Sequence, residues 1–248
     1  YGDFLTLSLH KFLSNDKNVI RSLFDCLLTV ISNISPYTKS FSMVTSTKLI
    51  SLFEAFAQPK FMYAGEKHPL YVSLLLETFN NLIQYQYEGN VHTVYSILRK
   101  KKIFQELAKT PNLAEVKQVI ERRYQKVLEK NPQAPPMFVP TPEWVAMWKK
   151  DLPLYTILTL LKALVPEVEK LCEKELATED DVLTYLRNTT LVGLLPVPHT
   201  IVIRTFQSNV QIDTFLTIYI WGMVFLKTNN YLSMFDTKSI KLFTVNVV

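Results

Sequence analysis

Four histidines (His10, His68, His92, His199) and two cysteines (Cys26, Cys172) are the residues of this chain best suited to ligate a metal or supply a nucleophile. Their spacing does neither. Metal sites take paired ligands a few residues apart, and here unrelated segments would have to converge, so no metal is expected. Nucleophilic serines sit on recognisable elbows, and none surrounds any serine. The cysteines each fall inside an apolar helical pattern, which reads as small buried hydrophobes in a reducing compartment rather than a disulfide framework. Gly2, Gly65, Gly89, Gly193 and Gly222 are scattered, so no phosphate-cradling loop or dinucleotide fingerprint can be written. Glu173, Glu175, Glu179, Asp180 and Asp181 read as a solvated helix end whose acids favour the next helix dipole. No cofactor, no catalytic residue and no enzymatic activity are expected.

Charge and conformation stand out instead. Arg99-Lys100-Lys101-Lys102, with Arg122, Arg123 and Lys126 on the following helix, is the sharpest electrostatic feature. Such a run either meets anionic lipid headgroups, each basic residue contributing about 1 kcal/mol, or is simply a solvated helix face. Leu191 to His199 holds Pro196 and Pro198, which fix φ and push the preceding residues toward extended backbone. It predicts a corner where a helical chain changes mode. Pro196, Pro198 and His199 are expected to hold a terminal sheet against the helical stack, with Arg204 pairing across that sheet.

The elements that would position these residues are read from hydrophobic periodicity. Tyr1 to His10 reads as helical, and with Tyr1 in place of an initiator methionine the chain is expected to be a piece of something longer. Ile20 to Ile34 carries one buried stripe and stops at Ser35-Pro36. A second helix runs from about Ser40 to Ala57. A third begins near Pro69, carries Val72, Leu75, Leu76, Phe79, Leu82 and Ile83, and is closed by Gly89. Asn90 is expected to cap a fourth, ending at Thr110-Pro111, and Leu113 to Val127 gives a more exposed fifth. Five prolines make 131–142 a loop. Trp144 and Trp148 then lie one turn apart, and a stripe from Leu154 to Cys172 is interrupted by Pro166, which predicts a kink or two abutting helices. Thr178 with Asp181 predicts a capping box for a helix to about Asn188.

After the corner, Ile201–Phe206, Phe215–Leu226 and Ile240–Val248 are β-branched and aromatic, the middle one reading equally as a short buried helix. The predicted fold is mainly α: an irregular α-solenoid of stacked helices, HEAT- or armadillo-like, with a small antiparallel β element at the C-terminus. Its organisation is stacked amphipathic helices over 1–130, the loop 131–142, further helices over 143–190, and a proline corner with a β-rich cap over 191–248.

Composition agrees with a folded chain: 48% of the 248 residues are hydrophobic and 12% aromatic, enough for one large or two small domains. The net charge of +5 is compatible with an acidic partner, a membrane surface or nucleic acid, but basic and acidic residues interleave along most helices and read as solvated surface. The longest apolar run, Thr214 to Leu226 between Asp213 and Lys227, is too short to span a bilayer. Asn33-Ile34-Ser35 and Asn188-Thr189-Thr190 match the glycosylation pattern and are read as coincidences.

Several blocks, in order, resemble the carboxy-terminal part of the high-temperature-induced dauer-formation family, relatives of dymeclin. They are Leu52 to Phe56, Phe79 to Asn90, Ile97 to Lys100 with Ile103-Phe104, Pro140 to Trp144 continuing to Lys170, Leu191 to His199, and Tyr219-Ile220-Trp221-Gly222. The region between Arg123 and Pro140 resembles a long low-complexity insertion of animal members, reduced here to a loop. Thr200 replaces a proline of the animal pattern, and Asn209 to Leu216 diverges.

The resemblance implies a non-enzymatic peripheral protein of the cytoplasmic face of the Golgi, acting in secretory sorting and vesicle formation at the trans-Golgi network. It implies other Golgi-surface proteins as partners, an amino-terminal myristoyl anchor not carried by this Gly2, and a peripheral contact with anionic membrane. Arg99, Lys100, Lys101, Lys102, Arg122 and Arg123 are the candidate contact residues. Pro196, Pro198, His199, Arg204, Trp144 and Trp221 are structural motif residues. The alternative is a nucleic-acid-binding helical repeat, which the basic pI and the stacked helices keep open.

Overall fold

Prolines and short polar side chains set where each helix starts. The computed structural model describes residues 1–14, 23–133, 138–173, 178–191, 193–205 and 210–229. The chain divides into two compact units, Tyr1–Thr205 and Phe206–Val248. The first holds α1 (Gly2–Leu13), α2 (Phe24–Ile34) with a 3-10 turn (Ser35–Tyr37), α3 (Met43–Ala57), the one-turn α4 (Pro59–Met62) and α5 (His68–Tyr85). It continues with α6 (Val91–Arg99), α7 (Lys101–Ala108), α8 (Leu113–Lys130), α9 (Pro142–Lys150), α10 (Tyr155–Cys172) and α11 (Glu179–Asn188). The second holds α12 (Val210–Thr228).

The oxygens of Ser42, Asn112 and Thr141 accept from the backbone of Thr45, Ala114 and Trp144, each such cap stabilising its helix by about 1 kcal/mol. Thr178 and Asp181 form the expected capping box. At the other end of α7, the Lys149 ammonium donates to the carbonyls of Leu107 and Lys109, placing a cation where the helix dipole is negative. Burial lowers the pKa of that ammonium.

The core is built on aromatic contacts between helices. Phe53 of α3 stacks on Phe104 of α7 at 4.8 Å and meets Phe79 of α5 edge-on at 5.5 Å, all three rings being fully enclosed. A second cluster joins Tyr63 to Trp144 and Trp148 of α9, with Phe138 against Trp144. With α4 set aside, α1 packs on α3, α2 on α5 and α3 on α6, each on the helix two places on. The later helices depart from that order: α10 returns to α5, α6 and α7, and α11 to α6.

Loop backbone is held by the block from Asn80 to Asn90. Asn80 donates to the Pro153 carbonyl, Asn81 to the Ser35 hydroxyl, Gln84 to the Thr156 hydroxyl and Gln86 to the Pro36 carbonyl. The Tyr85 hydroxyl reaches the His199 carbonyl and that of Tyr87 the Leu186 carbonyl. Asn90 does not cap α6 with its side chain. Its Oδ1 instead accepts from the Phe41 amide at 2.9 Å, while its Nδ2 donates to Thr38, Lys39 and Gln86 carbonyls. Gly89 lies against the same connecting backbone, and a Cβ there would stand 1.7 Å from the Lys39 oxygen.

The proline corner is tied down differently from the expectation. Gly193 takes φ +79°, the left-handed value that favours glycine, and Leu194 and Leu195 turn back to the Leu191 carbonyl. Pro198 and His199 are exposed, and the corner is held at His199, whose carbonyl and ring both meet Tyr85, and at Arg204. Asn33 of α2 clamps Arg204 by accepting from its amide at 2.9 Å and donating to its carbonyl at 2.7 Å. The Arg204 guanidinium pairs with Glu77 of α5 at 2.5 Å, so it binds a helix and not a neighbouring strand.

No strand occurs among the described residues. Residues 201–205 run without regular structure, with Ile201, Val202 and Ile203 exposed. Phe215–Leu226 falls within α12, where the Thr214 and Thr228 hydroxyls bond back to carbonyls four residues earlier. A helix satisfies its own backbone, whereas a strand needs a partner. Ile240–Val248 lies outside the described residues. Among the described residues, no helix is long and apolar enough to cross a membrane. Of the two expectations at Pro166, the pair of abutting helices is not found, since Pro166 lies inside the single helix α10. Two further expectations change: the helix expected from Asn90 to Thr110 breaks at Lys100, and Cys172 is exposed while Cys26 is half-buried.

Replacing Gly89→Ala forces the turn away from Lys39 and is expected to destabilise the protein by about 2 to 3 kcal/mol in urea unfolding. Asn33→Ala frees two backbone groups of Arg204 and should cost about 1 to 3 kcal/mol, with amide exchange rising first over 199–205. Wild-type stability for both variants would contradict these contacts.

Candidate functional site

The sequence places Arg99 to Lys102 side by side, but successive helix residues are about 100° apart, and the structure sends the four in different directions. Arg99 lies over the Tyr95 ring at 5.7 Å. Lys100 pairs with Glu54 of α3 at 2.8 Å and Lys101 with Glu169 of α10. Lys102 is exposed. This run therefore ties α3 and α10 to the break between α6 and α7 rather than presenting one cationic face. Trp144 belongs to the α9 aromatic cluster and donates to the Glu66 carbonyl, whereas Trp221 is exposed on α12.

Arg122 and Arg123 are gathered into a site. Together with Val119 and Lys126 they occupy one face of α8 and form one wall of a groove of about 990 Å³. The opposite side is α1, with His10, Leu13 and Ser14. The floor is α3, whose small, exposed Thr47, Ser51 and Ala55 recur every four residues beside Lys48, Leu52 and Phe56. Ser51 turns its hydroxyl back to the Thr47 carbonyl, so its polar atom is engaged within its own helix.

One end of the groove is aromatic. Phe61 of α4 stacks on Phe56 at 4.1 Å, and Phe56 on Phe24 at 5.7 Å. The Arg123 guanidinium donates to the Lys60 carbonyl at 3.0 Å, which links α8 to α4. Lys48, Lys60, Arg122, Arg123 and Lys126 all line the groove, and no acid does among the described residues. Partial burial, reinforced by the Lys48 charge, lowers the pKa of His10 from its ordinary value near 6.5.

The arrangement offers small and apolar surface under a cationic rim. The Ser14 hydroxyl lies 3.1 Å from the His10 ring in this groove, and no group of three metal-ligating side chains occurs among the described residues. Lys48, Lys60 and His10 escaped the sequence reading because they come from three separate elements. The available signal was the four-residue recurrence of the small residues Thr47, Ser51 and Ala55 along α3.

The depressed His10 pKa has a definite sign. The unfolded chain takes up the imidazole proton first, so stability falls as pH drops from about 6.5 toward the lower folded value. His10→Gln should flatten that part of the pH dependence of the urea midpoint; an unchanged slope would show His10 is not held neutral.

The family described as Dymeclin: Dyggve-Melchior-Clausen syndrome protein matches residues 1–223. Protein HID1 of Homo sapiens is 34% identical over 332 aligned positions, covering 100% of this chain and 42% of the human protein. Protein HID1 of Dictyostelium discoideum is 25% identical, covering 99% of the chain and 39% of that relative. Ubp5-interacting protein ftp105 of Schizosaccharomyces pombe is 28% identical over 119 positions, 47% of the chain and 13% of the yeast protein. The chain thus spans about two fifths of the length of the HID1 relatives, matching their C-terminal part. No solved structure matches. The chain belongs to the Dymeclin family.

Proposed function

We propose that this chain is the C-terminal part of a non-enzymatic peripheral scaffold or adaptor on the cytoplasmic face of the Golgi, acting in protein sorting and vesicle formation at the trans-Golgi network. The compartment and process are what the family resemblance implies. The observation that carries the binding role is the groove between α1 and α8, an open concave surface with a cationic rim and a floor of small residues. One relative is itself described as an interacting protein, for Ubp5, which supports protein contact as the mode of action. Lys100 and Lys101 are engaged in ion pairs, and the cations are not interleaved with exposed aromatics along one face. These features favour protein contact over nucleic-acid binding.

The test is proximity labelling in cells by the intact protein and by a variant lacking this chain, with membrane fractionation of both. Loss of a subset of labelled Golgi-surface proteins is expected on removal of the chain. Equal labelling of the same proteins by both forms would overturn the scaffold role of this part.

A further inference from the structure

We infer that the groove between α1 and α8 docks an acidic amphipathic helix of a partner protein, an inference that rests on the scaffold reading above and specifies its contact. The shape argues for a helix. Thr47, Ser51 and Ala55 run about 12 Å along α3 at 1.5 Å per residue, a bare track on which another helix backbone approaches closely. No strand edge borders it among the described residues, so an extended peptide would find no backbone ladder to join.

The charge fixes the occupant's chemistry. Lys48 on the floor helix and Arg122 with Lys126 on α8 flank the track, the latter pair one helical turn apart. A helix with apolar residues on the α3 side and glutamates or aspartates along its edges would pair with these cations while covering Phe61 and Val119. This is helix-in-groove recognition, read by anchors at i, i+3, i+4 and i+7. A flat bilayer does not reach the floor of a concave groove, and the aromatic rings at its end are stacked on one another rather than presented to bases.

The experiment places a photocrosslinker in the full-length protein in cells at positions beside the track, as Ser14→p-benzoylphenylalanine, Lys60→p-benzoylphenylalanine and Val119→p-benzoylphenylalanine, and sequences the crosslinked peptides. Peptides from other proteins with net negative charge and apolar residues at i, i+3, i+4 and i+7 are expected. The Arg122→Glu/Lys126→Glu double variant alters exposed side chains, so its melting temperature should hold while crosslinking falls about tenfold through lost charge complementarity. Crosslinks only to phospholipid, only to this chain's own residues, or to neutral or basic peptides would overturn the inference. So would no crosslink from any of the three positions, or a yield indifferent to the charge reversal. A scaffold working through another face would still lose labelled neighbours when the chain is removed, so failure here is separable from failure of the scaffold reading.

Discussion

Buried backbone groups must find hydrogen-bond partners, and in this unit many of those of the connecting segments find them in side chains between Asn80 and Asn90. The polar side chains of this stretch reach the turn after α2, the approach to α3, the segment before α10, the end of α11 and the proline corner. Asn90 alone, fully enclosed, serves four backbone groups. Each such bond contributes only about 1 kcal/mol net, but a buried group left unpaired costs about 1 to 3. The end of α5 therefore specifies where distant segments lie as well as adding stability, and the stretch that carries much of the family resemblance is also the one that joins the segments.

The groove depends on this joint. Asn90 fixes Phe41, Ser42 comes next with its cap on Thr45, and Asp3 of α1 accepts from the Ser42 amide and hydroxyl. These contacts set where α3 begins and how α1 leans on it. Burial raises the Asp3 pKa, but its bonds to Thr45 and Ser42 outweigh that and lower it overall. With α3 anchored at one end by α1 and at the other by Phe56 on Phe61, its face of small residues stays open between the two walls. The same logic accounts for the basic run: Lys100 and Lys101 face Glu54 and Glu169, leaving the groove lined by cations from α3, α4 and α8.

Local signals carried most of the helix positions. Pro36, Pro59, Pro69 and Pro142 lie in first turns, the Thr178 box forms as its spacing requires, and the stripe through Phe79 and Ile83 is buried. What failed needed tertiary knowledge. Asn90 has the residue type of a cap and spends its side chain elsewhere because Phe41 comes within reach. Phe215 to Leu226 reads equally as strand or short helix, because composition does not say whether a pairing partner exists, and the segment is helical. Arg122 was identified with Arg123, but their cationic companions Lys48 and Lys60 lie more than sixty residues away in sequence, a relation no periodicity carries.

The most direct test of this account is amide hydrogen exchange at Phe41 in the unaltered protein and in the Asn90→Leu variant. The account predicts a protected Phe41 amide whose protection is lost in the variant, with the loss spreading into the first turn of α3 while α8 remains protected. A Phe41 amide that already exchanges like free loop backbone in the unaltered protein would contradict the claim that the α5 to α6 turn holds the connecting segments in place.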